Sequence, residues 1–352
     1  MRLAYAPYIL KFKRPAGTSR GILMEKPTFF IKVFDESDPS RFGIGECSVF
    51  PGLSPEADGN YGYKLIELLA NIALGKDTDL SRYSSIQFGL EQALRDYAGG
   101  CRHIYFPSLF TQGEGSIEIN GLVWMGDFEE MIARIDEKVK DGFHCLKLKI
   151  GAIDWTREVE MIEYVRKKYS ESDLQIRVDA NGGFSMDNAL PRLKRLADLG
   201  VHSIEQPIPP GTPELMSFLC KVSPLPIALD ESLIGIHGLD RKADLLDETN
   251  PAFIILKPSL CGGFSGAEEW IRLAVDRGIG WWVTSALESN VGLNALAQWT
   301  ATLDTRIPQG LGTGALFTNN FESPLRLEAD RLRYDSGFII SDDIDSNLDW
   351  RY

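Results

Sequence analysis

HCLKLKI at 144–150, LQIRVDA at 174–180, VHSIEQP at 201–207 and PIALDES at 226–232 are short apolar runs, each followed by a longer amphipathic stretch. The pattern extends outward to IEINGLVW at 117–124 on one side, and to AFIILKPS at 252–259, GWWVTSA at 280–286 and the weaker PQGLGTG at 308–314 on the other. The runs recur about every 25 to 31 residues, the period of one strand plus one helix. Eight such units read as a (β/α)8-type barrel. An open doubly wound sheet is the competing reading, but no GxGxxG opens a helix after the first strand.

The flanks have a different texture. Residues 1–115 read as an α+β capping domain, 116–322 as the barrel and 323–352 as a C-terminal segment. In the first part, strand-like segments Ala4–Phe12 and Thr28–Phe34 flank a polar loop, Arg14–Lys26, and helical patterns follow at Tyr63–Leu74 and Ile86–Tyr97. Between them lies the turn-rich GIGECSVFPGLSPE at 43–56. The FESPLRLEADRLRYDSGFII stretch at 321–340 reads as a hairpin that returns to the N-terminal domain.

Composition narrows the function classes. The 352 residues are 44% hydrophobic and 25% charged, which excludes a disordered or collagen-like chain. Subtracting 50 acidic from 37 basic residues gives −13, a repulsive field for nucleic acid. The N-terminal MRLAYAPYILKFKRPAGTSRG is broken by Lys11, Lys13 and Arg14, so no signal-peptide core forms, and no apolar run reaches the roughly 20 residues that span a bilayer. A soluble cytoplasmic protein with no membrane partner is expected; composition says nothing about its oligomeric state. Five cysteines show no CxxC spacing and four histidines no HxH or HExxH pattern, so a metal here would be held by oxygen.

In a parallel barrel the reactive residues belong at the C-terminal strand ends, where i and i+2 share a face. In CLKLKI, Lys147 and Lys149 share the face opposite Leu146, Leu148 and Ile150, which aims two ammonium groups inward. QIRVDAN puts Arg177, Asp179 and Asn181 on one face, while Glu205 and Asp230 end the next two strands, the latter followed by Glu231. Each acid alone reads as a helix N-cap. Three in succession repel one another unless a cation sits among them, and hard oxygen ligands of this kind suit magnesium. Lys257 at the sixth strand end lies across the barrel from Lys147 and Lys149. A partly desolvated lysine among other ammonium groups has its pKa lowered, which makes it a base near neutral pH.

KLK, VDANG, IEQP, LDES and LKPS, in this order, resemble the muconate-lactonizing subgroup of the enolase superfamily over essentially the whole chain. The resemblance implies a modified (β/α)7β barrel with an α+β cap completed by the C-terminal tail. It implies Mg2+, with Mn2+ as a substitute, on Asp179, Glu205 and Asp230. Lys149 and Lys257 would face the substrate α-carbon from opposite sides, Lys147 would help hold the substrate carboxylate, and Glu231, Asn181 and Arg177 would stand behind the ligands.

The seventh-strand segment GWWVTSALESNVG has no histidine base, and QGLGTGALF lacks the DxD clamp of a dipeptide epimerase. PAGTSRG (15–21), GECSVFPGLSPE (45–56), FGLEQALRD (88–96) and TSALESNVGLNALA (284–297) together resemble the dehydratase branch of menaquinone biosynthesis. Its substrate is a dicarboxylate on a cyclohexadiene ring. The resemblance implies that the succinyl end meets Ser285, Asn290 or the Gly312–Thr313–Gly314 turn, with Thr18, Ser19 and Arg20 closing over it. Racemisation of N-succinylamino acids or a related epimerisation stays open as the alternative, and a non-catalytic binding barrel as a remote one.

Overall fold

The computed structural model describes the chain except residues 19–20, 125, 152–153 and 340–342, and no side chain is described at 17, 18 or 343. Strands β1 (Arg2–Thr18), β2 (Gly21–Asp35) and β3 (Asp38–Cys47) form an antiparallel sheet in sequential order. Helices α1 (Tyr61–Ala73) and α2 (Ser84–Ala98) cover it. Glycines allow α2 to lie directly on β3: a Cβ at Gly45 would stand 1.9 Å from the Gly89 carbonyl oxygen, and one at Gly43 2.2 Å from that of Ala93. Ile31, Val33, Leu65, Leu69, Ile86 and Ala93 form the core between these layers.

The expected polar loop Arg14–Lys26 is instead the far end of a long hairpin. Ala16 pairs with Leu23 and Thr18 with Gly21 after a register shift beyond Lys11. This arm leaves Ile22 and Met24 in solvent, so it lacks the alternation that marks a strand with one buried face. Arg20 and Ser19 lie outside the described residues, and so does any test of their closing over the site.

The barrel begins after β4 (Ile117–Glu118). Its strands are β5 (Gly121–Val123), β6 (Cys145–Lys149), β7 (Gln175–Asp179), β8 (Ser203–Glu205), β9 (Ile227–Leu229), β10 (Phe253–Leu256) and β11 (Gly280–Val283), parallel and hydrogen-bonded in chain order. They alternate with α3 (Phe128–Lys140), α4 (Trp155–Lys168), α5 (Met186–Asp198), α6 (Pro213–Val222), α7 (Leu239–Thr249), α8 (Gly263–Asp276) and α9 (Asn290–Thr300). The eighth run shrinks to two bridging residues: Gln309 pairs with Ile119 and Gly310 with Thr284, both parallel. Those bridges join the two edges of the sheet, and no helix follows them directly, so the fold is a (β/α)7β barrel.

Leu146, Leu148, Ile176, Val178, Ile204, Leu229 and Ile254 point outward into the core beneath the helices. The intervening residues point inward, where Ala228, Ile255 and Trp282 fill the lower interior. The C-terminal hairpin, β12 (Leu325–Glu328) and β13 (Arg331–Tyr334), forms but pairs with β4. The chain end, after the short α10 (Asp343–Ser346), is what reaches the N-terminal sheet, through a Tyr5–Arg351 bridge. No helix among the described residues is long and apolar enough to cross a membrane.

Candidate active site

Register explains why the charged residues meet. Lys149 is aligned with Asp179 across β6 and β7, and Asp179 with Glu205 across β7 and β8. Neighbours in register on a parallel sheet point to the same side, so these three form one row inside the barrel mouth. Asp230 stands two residues beyond Ala228, the partner of Glu205, and so shares the inward face one position further toward the barrel mouth. Lys147 is one inward position below Lys149, and Lys257 follows β10, four strands from β6 around an eight-stranded ring.

Ammonium groups lie between the carboxylates. Lys147 Nζ is 2.9 Å from Asp179 Oδ2 and 2.6 Å from Glu205 Oε2. Lys149 Nζ donates to Asp179 Oδ2 at 2.6 Å and to Asn181 Oδ1 at 2.8 Å, and Lys257 Nζ pairs with Asp230 Oδ2. Asn181, in the left-handed region at φ 44°, turns its Nδ2 to Glu231 Oε1 at 3.0 Å. Gln206 is a positioning residue that the sequence reading missed: its Oε1 accepts from the backbone N–H groups of Asp230 and Ser232, which fixes the chain on both sides of Glu231. Its signal was present in the IEQP motif, but nothing local identified its partners.

Burial opposes ionisation at Asp179, yet the charges of Lys147, Lys149 and Lys257 outweigh it and hold this carboxyl well below the usual range. Glu205 is pushed well up, by burial and then by Asp179. Burial followed by Asp230 also raises Glu231. The lowered lysine pKa expected from neighbouring ammoniums is not found at Lys147 or Lys257. Burial does lower both, but the carboxylates against them win: Asp179 and Glu205 for Lys147, Asp230 and Glu205 for Lys257. Each lysine faces acids more closely than it faces another lysine.

Among the described residues, no three His, Cys, Asp or Glu side chains are gathered closely enough to hold a metal ion, because ammonium groups occupy the space between the acids. The donor set nevertheless fits a hard divalent cation. It is all oxygen and comes from three adjacent strand ends, and Glu205 Oε2 lies beside Lys147 without hydrogen-bond geometry. A cation there would compete with the ammoniums for the same oxygens.

Above this row is a cavity of about 270 Å3, lined by Lys147, Lys149, Asn181, Glu231 and Lys257 at its charged end. Ser285, Gly312 and Thr313 line its other end, and Leu23, Phe50, Leu53, Trp124, Leu260 and Leu287 supply apolar walls. Phe50, Leu260 and Leu287 belong to an apolar cluster shared by sheet and barrel, so the N-terminal layer roofs the pocket. Two expected site residues lie elsewhere. Arg177 is one layer deeper, its guanidinium 4.4 Å from the Trp282 ring and donating to the Pro308 carbonyl. Asn290 caps the loop behind the pocket, its Nδ2 donating to the Phe321 carbonyl at 2.6 Å.

Fold and site together define a class. The enolase C-terminal domain-like family model matches residues 130–338, and the chain belongs to the enolase superfamily. It is 45% identical to the o-succinylbenzoate synthase of Desulfotalea psychrophila over 93% of this chain and 97% of that one. The crystal structure of MenC from Desulfotalea psychrophila superposes with a TM-score of 0.82 at 41% identity, covering 95% of this chain and 99% of that chain. The dipeptide epimerase of Cytophaga hutchinsonii, complexed with Mg and a dipeptide, shares the fold at a TM-score of 0.77 and 23% identity, covering 99% of this chain and 98% of that one.

Proposed function

We propose that the chain is an o-succinylbenzoate synthase, a hydro-lyase that converts 2-succinyl-6-hydroxy-2,4-cyclohexadiene-1-carboxylate to 2-succinylbenzoate and water on the way to menaquinone. The observation that carries this reading is a cavity whose charged end has Lys149 and Lys257 on opposite sides above three inward carboxylates from adjacent strand ends. The near full-length similarity to a synthase supports it.

Asp179, Glu205 and Asp230 would hold Mg2+, for which Mn2+ can substitute, and the ion supplies positive charge against the negative charge that develops on the substrate carboxylate. Lys147, buried between two of these acids, helps hold that carboxylate. Lys149 Nζ takes the α-proton and returns it to the departing hydroxyl, with Asn181 Oδ1 orienting the amine. Lys257 remains protonated against Asp230 and contributes positive charge from the far side. Leu23, Phe50 and Leu53 cover the ring and exclude water. Because the product is aromatic, the elimination runs downhill and places light demands on the site.

The opposed lysines also suit two-base proton exchange, which makes racemisation of N-succinylamino acids the second activity to examine. The test is to mix the protein with Mg2+ and the cyclohexadiene substrate and follow the ultraviolet change on aromatisation, with a chelator control. Rapid chelator-sensitive conversion is expected; none, from folded protein with Mg2+ bound, would shift the assignment to the racemase reaction.

A further inference from the structure

The hydroxyl end of the cavity is backed by a buried carboxylate that the mechanism leaves unused. Thr313 Oγ1 donates to Ser285 Oγ at 2.8 Å, and Ser285 Oγ donates to Glu288 Oε2 at 2.5 Å. Ser285 Oγ also accepts from the Leu287 N–H at 3.0 Å. With Glu288 ionised, the single hydroxyl proton of Ser285 is committed to Glu288 and that of Thr313 to Ser285. Thr313 then turns only lone pairs toward the cavity, and a ligand carboxylate there meets oxygen against oxygen.

One proton reverses the chain. Taken up from solvent on Glu288 Oε2, it is donated to Ser285 Oγ, Ser285 turns its own proton to Thr313 Oγ1, and Thr313 turns its proton into the cavity. No bond is left unmade, because Glu288 Oε1 still accepts from Ser259 Oγ at 3.1 Å and the Ala286 N–H, which lies 3.1 Å from Oε1 and 2.9 Å from Oε2, keeps an acceptor in either state. We propose that Glu288 is a specificity-determining positioning residue, and that the pocket binds the succinyl carboxylate with Glu288 protonated. This inference rests on the synthase reading for the identity of the tail.

The surroundings leave the proton easily held. Glu288 is fully buried, which raises it above an ordinary glutamate, with the Ser285 hydrogen bond and Lys26 opposing. Lys26 on β2 and Glu46 on β3 are the charged groups facing it, and Ser259, after β10, and Ser285, after β11, bring hydroxyls only. Lys26 Nζ donates to Ser48 Oγ, and Glu46 accepts from Thr28, Ser289 and Gly292. Among the described residues, neither these groups nor any other forms a direct ion pair with Glu288.

The experiment is calorimetric titration of the full chain, saturated with Mg2+, with 2-succinylbenzoate and with its analogue bearing a neutral amide at the succinyl end, from pH 6 to 9. Wild-type affinity for the dicarboxylate should fall about tenfold per pH unit above the ionisation of Glu288, with about one proton taken up per ligand. The amide should show neither effect. Glu288→Gln, whose amide N–H donates permanently to Ser285, should bind the dicarboxylate with no proton uptake. Ser285→Ala, which cuts the chain between Glu288 and Thr313 while leaving the Glu288 carboxyl in place, should lose the preference for carboxylate over amide.

Wild-type affinity that is flat with pH, failure to bind the dicarboxylate at any pH, or equal proton uptake in Glu288→Gln would each overturn the inference. Failure of the synthase reading shows separately, as absence of chelator-sensitive aromatisation.

Discussion

Glu205 at the barrel mouth and Glu46 at the junction of sheet and barrel are both buried carboxylates in a lysine-containing cluster, yet their oxygens are satisfied in different ways. Glu46 accepts four directional hydrogen bonds, from Thr28 Oγ1, the Ser289 N–H and Oγ, and the Gly292 N–H. Among the described residues only Lys147 pairs with Glu205, and it shares that ammonium with Asp179. A carboxylate held by fixed backbone and hydroxyl donors is locked to its geometry. One held by a flexible ammonium can exchange that partner for another cation. The first arrangement fastens the cap to the barrel, and the second leaves ligand positions available.

The largest expected effect breaks the exchangeable cluster at its base. Lys149→Ala should lower turnover by about 10^2 to 10^4-fold, the usual worth of a positioned acid–base group, while Mg2+ still raises the melting temperature. The aromatisation assay and a thermal melt on the same sample check both halves, and near-normal turnover removes Lys149 from its role.

At the locked cluster the effect moves from activity to stability. Glu46→Ala strands the Ser289 and Gly292 N–H groups and the Ser289 hydroxyl in a dry junction, while Thr28 keeps the Cys47 carbonyl, and should cost about 3 to 5 kcal/mol in denaturant unfolding. A loss below 1 kcal/mol would mean that water replaces the carboxylate and that the junction is not dry.

Glu205→Gln sharpens the contrast, because the same change of charge should act in the opposite direction there. Its carboxylate is crowded by Asp179 and Asp230, so removing the charge relieves repulsion. In chelator the variant should melt no lower than the wild type. Saturating Mg2+ should stabilise the wild type by about 2.7 kcal/mol at 100 times Kd and the variant by far less. A variant that is less stable in chelator would place Glu205 with Glu46 as a structural acid.

The barrel and its inward acids were legible in the sequence because the pattern that places them is local. Inward and outward residues alternate strictly along β6 and β7, so CLKLKI and QIRVD announce both the core face and the charged face. The hairpin arm beyond Lys11 was not legible, since neither of its faces is consistently buried. Arg177 shares its face with Asp179, as the alternation requires, but depth within the barrel is a tertiary property, and an inward arginine one layer down stacks on Trp282. Asn290 and Glu288 both belong to the SALESN segment, and only folding decides that the glutamate backs the pocket while the asparagine turns to Phe321. Local pattern fixes which way a side chain faces, and the other strands decide what it meets.

The far end of the barrel gives the smallest and most specific test. His202, just before β8, has its ring 5.5 Å from Phe253 and its Nδ1 2.9 Å from Ser203 Oγ. Burial and then the nearby charge of Arg177 lower its pKa from 6.5 to about 4. The unfolded chain therefore binds a proton more readily than the folded one between these values. Stability is complete above about pH 6.5, falls as the pH drops toward 4, and falls no further from this group below that. His202→Phe removes the penalty, so the variant should gain on the wild type by about 1 kcal/mol between pH 7.5 and 4, the full linkage being reduced because the ring is partly exposed. Denaturant midpoints for both proteins across that range measure it. Carboxylates elsewhere titrate equally in the two proteins and cancel in the difference, so parallel curves would mean that neither burial nor Arg177 holds His202 neutral in the folded chain.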